Sequence, residues 1–172
     1  MISQYFIETN FTKGKLTLVG GCPGIGKTSF AISLAISMAE QNQKVIYFSL
    51  EMTEEQLIKR ITLQNEQIAI SENIVICDTP FAKMSDVRSQ FELQPSDYII
   101  IDYIQLMEAE NKELSGEDEV SSIICGLRNL ARELRIPIIA LSQMSRNGDF
   151  GIRSDDLAEI NVAILTRSTS DS

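Results

Sequence analysis

Histidine is absent from this chain. With it go serine–histidine hydrolysis, histidine metal sites and histidine general bases, so a proton acceptor here has to be sought among the carboxylates. Cysteine is scarce: Cys22, Cys77 and Cys125 lie far apart and form no metal-binding spacing. Cys77 and Cys125 sit in apolar segments and read as small core residues, Cys22 as a tolerated loop residue. No apolar run approaches the ~20 residues needed to cross a bilayer. The N-terminal MISQYFIETNFTKGK lacks the basic-then-apolar pattern of a signal segment. A cytoplasmic protein without membrane contact is expected. A basic excess is missing too. Lys and Arg number 15 against 24 Asp and Glu, a net charge of −9, which argues against a protein that simply coats nucleic acid. A local basic channel is still compatible with it.

What is present is 172 residues, 44% hydrophobic and 23% charged, enough for one domain with a substantial core. Lys15 to Val19 reads as a strand, Gly20 to Lys27 as a loop, and Thr28 to Glu40 as a helix with apolar residues at helical spacing. Val45 to Leu50 is a second strand. Thr53 is placed to cap a helix, with Gln56 as its capping-box partner. Ile74 to Cys77 and Tyr98 to Ile101 are further strands, and a helix begins near Ser85. An acidic loop spans Asn111 to Glu119, followed by a helix over Val120 to Leu134 and a strand over Pro137 to Ser142. Met144 to Asp155 reads as loop and Asn161 to Leu165 as a last strand. Apolar strands alternating with helices predict an α/β fold, a mostly parallel twisted sheet with helices on both faces. Ligands in such sheets sit at the carboxyl ends of strands.

The notable polar residues fall at those ends. Gly21-Cys22-Pro23-Gly24-Ile25-Gly26-Lys27-Thr28 fits the phosphate-binding pattern G-x-x-x-x-G-K-[ST], between a strand and an amphipathic helix. Its glycines let backbone N–H groups turn around phosphate oxygens, and the helix behind adds its positive end. Gly21 to Thr28 with Ser29 are therefore the expected ATP-binding residues, Lys27 reaching the terminal phosphates and Thr28 ligating Mg²⁺. Asp102 ends four apolar residues and is the expected second metal-holding group. The residue after it is Tyr103, not the glutamate that many P-loop ATPases use to polarise water. Glu51, at the end of VIYFSLEM, is the best remaining candidate for that base; the competing reading is an acid at the entry of the helix that Thr53 caps. Gln143, after PIIALS, is placed to sense the terminal phosphate. Arg128, Arg132 and Arg135 share a helix face and read as solvated. Arg146, Arg153 and Arg167 are weaker candidates for phosphate or DNA contact.

These strings together resemble the RecA-like motor domain of DnaB-type replicative helicases. The likeness rests on GGCPGIGKTSFAISLA, VIYFSLEM, YIIIDYIQLM and LRNLARELRIPIIALSQMSR, in that family's order over Lys15 to Arg146. It implies an Mg²⁺-dependent ATPase, a six-membered ring in the family, working on single-stranded DNA. By position, Lys27 and Thr28 bind phosphate and metal, Glu51 is the catalytic glutamate, Asp102 the metal acid, and Gln143 the coupling glutamine. The resemblance also implies departures: one domain over 1–172 in which 1–14 are a leader and 147–172 a shortened C-terminal part. The family's arginine finger, which completes a neighbour's site, has no counterpart read here, Arg167 included. Two function classes follow: a working ATPase motor, or a helicase-derived nucleotide-binding module with little or no unwinding. A recombination-type ATPase fits the strings less well.

Overall fold

The computed structural model describes residues 2–65, 67 and 72–166. Among them, β1 (Leu16–Gly21), β2 (Val45–Ser49), β3 (Ile74–Cys77), β4 (Tyr98–Asp102), β5 (Ile138–Gln143) and β6 (Asn161–Ile164) form one sheet in the order β3-β2-β4-β5-β1-β6. Every pairing is parallel. Composition explains the placement. The four inner strands β2, β4, β5 and β1 are buried almost throughout, as near-continuous apolar runs require in a sheet covered on both faces.

One face carries α1 (Gln4–Asn10), α2 (Lys27–Glu40) and α3 (Glu54–Gln64); the other carries α4 (Met84–Leu93) and α5 (Glu117–Leu134). Alternate strand residues divide between them. Ile46, Phe48, Ile99, Ile101, Ile138 and Ala140 pack with Leu127 and Leu130 of α5. Val45, Tyr47, Ile100, Ile139 and Leu141 pack with Ile32 and Leu34 of α2 and with Leu57 and Ile61 of α3. A short α6 (Ser154–Ala158) leads into β6.

The expected capping box is present: the Thr53 hydroxyl accepts from Gln56 N–H at 3.3 Å, and the Gln56 side chain accepts from Thr53 N–H at 3.1 Å. Several boundaries differ from the sequence reading. β1 runs on through Gly20 and Gly21, because parallel pairing with Ser142 and Gln143 continues that far. Gln143 is correspondingly the last residue of β5 rather than the first of a loop. α5 begins at Glu117, since acidic residues suit the first turn of a helix. Within the segment read as a leader, residues 4–10 are helical, capped by the Ser3 hydroxyl, and Ile7 and Phe11 close the α2 face of the core. Arg167 lies outside the described residues.

Candidate functional site

Sheet order decides which strand ends meet. Across β1, β5, β4 and β2 the carboxyl ends lie side by side, each step about 4.8 Å. They present, in that order, the glycine loop, Gln143, Asp102 and Glu51. Leu50 N–H donates to the Asp102 carbonyl at 2.9 Å, which pins the end of β2 to the end of β4 and sets Glu51 one residue beyond. The glycine loop turns at Gly24 and Gly26, whose φ values are +76° and +103°. At both, the space a Cβ would enter is open to 4 Å. The loop is thus a bare cradle of backbone ahead of α2.

Lys27 is the first residue of α2 and is 8% exposed. Its ammonium donates to the carbonyls of Gly21 at 2.8 Å and Cys22 at 3.1 Å. Burial lowers its pKa, while Asp102, Cys22 and Glu51 pull it back up. Asp102 is 5% exposed. Burial raises its pKa; the hydroxyls of Tyr47, at 2.9 Å, and of Thr28 oppose that shift by donating to the carboxylate. Thr28 and Asp102 line the same cavity, close enough for the hydroxyl to act on the carboxylate, an oxygen pair of the kind a hard divalent cation prefers. Glu51 is exposed and faces the same open cavity of about 340 Å³, with residues of the glycine loop, Thr28, Asp102 and Gln143.

All five chemistry-bearing residues singled out in the sequence line this one cavity. Three participants escaped that reading. Tyr47 is fully buried in β2 and holds Asp102 by its hydroxyl; a phenol in a strand buried on both faces needs a partner, which was the available signal. Arg60 of α3 reaches the cavity beside Glu51 and also lines a neighbouring groove with Gln56 and Lys59. Tyr103 lines the cavity as well. Of the weaker candidates, Arg146 and Arg153 are absent from the cavity lining, Arg153 pairing with Asp118 instead, while Arg128, read as solvated, is half-buried and pairs with Glu159.

Comparison with known proteins settles the lineage. The sequence model described as "DnaB-like helicase C terminal domain" matches residues 7–73 and 70–151. The chain belongs to the DnaB-like helicase C-terminal domain family. Its relatives include the "Replicative DNA helicase DnaB" of Geobacillus stearothermophilus, 33% identical over 82% of this chain and 38% of that protein. The "Replicative DNA helicase DnaC" of Bacillus subtilis (strain 168) is 32% identical over 81% of this chain and 37% of that protein. The chain thus spans well under half the length of these helicases. Among solved structures, one described as an ATPase domain superposes with a TM-score of 0.75 at 24% identity, over 94% of this chain and 74% of that one. A DnaB-like replicative helicase, described with its interactions with primase, gives 0.74 at 23% identity, over 94% and 50%. The fold is the RecA-like one of DnaB-like ATPase domains. Among the described residues no helix is long and apolar enough to cross a membrane.

Proposed function

We propose that this domain binds ATP with Mg²⁺ in the cavity at the β1–β5–β4–β2 strand ends, hydrolyses it, and couples the cycle to single-stranded DNA. One observation carries the reading. An unobstructed glycine cradle stands against a Thr28–Asp102 oxygen pair, with a buried lysine and an exposed glutamate facing the same space. That set fits a metal-bound triphosphate. The backbone N–H groups that the glycine turns leave uncovered and the positive end of α2 suit phosphate oxygens. Lys27 sits on two carbonyls and is free to exchange them for the terminal phosphates.

Thr28 and Asp102 are the residues that would hold Mg²⁺, which when bound supplies charge neutralisation at the reacting phosphoryl group. Tyr47 fixes the orientation of the Asp102 carboxylate. Glu51 orients the attacking water and takes its proton. Arg60 adds a cation at the Glu51 side of the cavity, and Gln143 reads the phosphate from the end of β5. The named relatives are replicative helicases, which supports a link to single-stranded DNA and to replication, in a ring of copies of the chain.

The test separates binding from chemistry. Lys27→Ala is expected to abolish nucleotide binding, read by calorimetric titration with ATP analogue and Mg²⁺. Glu51→Gln is expected to bind as wild type does while turnover falls by roughly 10²-fold or more. Unchanged turnover in Glu51→Gln removes Glu51 from the catalytic role. Tight binding with no wild-type turnover leaves a nucleotide-binding module instead of an ATPase.

A further inference from the structure

The backbones of β4 and β5 pair only as far as Ile101 and Ala140. Ser142 and Gln143 continue on one side against Gly20 and Gly21 of β1. On the other side a side chain takes over. Gln105 lies in the 3-10 turn Ile104–Leu106 that follows Asp102 and Tyr103. Its Oε1 accepts from Gln143 N–H at 3.2 Å, and its Nε2 donates to the Gln143 carbonyl at 3.1 Å. Nε2 also donates to the Ser142 hydroxyl at 2.8 Å. One primary amide thus exchanges both bonds with one peptide residue, as opposed residues do in an antiparallel ladder.

We infer that Gln105 is a positioning residue of the nucleotide site: it fixes the main chain of Gln143 to the segment that carries Asp102. This rests on the nucleotide reading above. Asp102 and Gln143 come from separate strands and both face the cavity. Beyond Ala140 the backbone ladder no longer couples them, and the Gln105 amide does. A shift of the turn after Asp102 therefore moves the end of β5 and the loop beyond it. Gln105 itself is half-buried and is absent from the cavity lining, so it acts through Gln143 and not on substrate.

The experiment compares wild type, Gln105→Ala and Gln105→Glu by residue-resolved amide hydrogen exchange, ADP–Mg²⁺ binding and ATP turnover. The glutamate variant keeps an acceptor for Gln143 N–H and loses both donations. In the alanine variant, exchange at Gln143 and over residues 144–153 should quicken by about tenfold, the weight of one or two net hydrogen bonds. Amides of β2 and of the first half of β1 should not change. ADP affinity and KM should stay within roughly twofold while kcat falls by about tenfold or more, because the loss is of geometry in the reacting complex. Gln105→Glu should lie between. Wild-type exchange at Gln143 overturns the inference, as does loosening spread evenly over the sheet, or unchanged kcat despite a loosened Gln143. Exchange in the nucleotide-free proteins tests the clasp by itself, and loss of ADP binding in Lys27→Ala tests the nucleotide reading, so the two fail separately.

Discussion

Asp102 shows a residue held against its own preference. Burial raises its pKa, and the nearby Glu51 adds to that, while the Tyr47 and Thr28 hydroxyls and Lys27 lower it. A carboxyl whose pKa is higher folded than unfolded binds its proton more tightly in the folded state. Its contribution favours folding at low pH and turns unfavourable as pH rises through the folded pKa. An unliganded Asp102→Asn protein should accordingly melt above wild type at pH 7, since the amide still accepts from Tyr47 and carries no charge to desolvate. The gap should close as pH falls towards the folded pKa. Adding ADP with Mg²⁺ should reverse the order, because only the carboxylate gains from the cation. Thermal unfolding with and without Mg²⁺ reads both signs; an Asp102→Asn protein that melts below wild type without ligand refutes the account. The residue identities behind this were legible in the sequence: four apolar residues ending in an acid, downstream of a glycine loop. Tyr47 was not, because the strand it sits in is apolar throughout and only the register against β4 brings its hydroxyl to Asp102.

At the scale of elements, the loop after β5 is docked onto the strand that feeds the glycine loop. A Cβ at Gly20 would stand 2.2 Å from Phe150 Cε1, 2.5 Å from its Cζ and 2.9 Å from Met144 Sδ. Met144 N–H also donates to the Gly21 carbonyl at 3.1 Å. Gly20 is thus small because an aromatic ring lies over it. Gly20→Ala should cost about 1–3 kcal/mol by overpacking, and Phe150→Ala in the same chain should recover much of that. Urea unfolding of the two single variants and the double variant measures the coupling; additive losses would mean that the ring does not rest there. This contact was invisible beforehand because it joins residues far apart in the chain, one of them in a loop without periodicity. Strands were legible for the opposite reason. Both faces of the sheet are covered, so apolar residues dominate each inner strand, and the Thr53–Gln56 capping box announces α3. The N-terminal helix was not legible, since Ile7 is its one buried residue and leaves no stripe.

On the scale of the whole molecule, the charge and the site pull in different directions. The chain carries −9, yet its cavity sets the cations Lys27 and Arg60 beside the carboxylates Glu51 and Asp102, an arrangement for a polyanion that brings Mg²⁺ with it. Local focusing of a few cations is sufficient for that, since field in a cleft is set by nearby groups. What the cavity lacks is closure. Glu51 is exposed, and charge stabilisation during phosphoryl transfer is strong only where water is excluded. In the proposed ring a second copy of the chain is the surface that would cover it. Turnover per chain should then rise with protein concentration and follow the growth in mass seen by light scattering in the same buffer. Single-stranded DNA should raise it further by favouring the assembled form, and chelating Mg²⁺ with EDTA should abolish it at every concentration. A rate per chain that stays flat from monomer to assembly would mean that the cavity closes on its own, through the groove along α3 between Glu51 and Leu63.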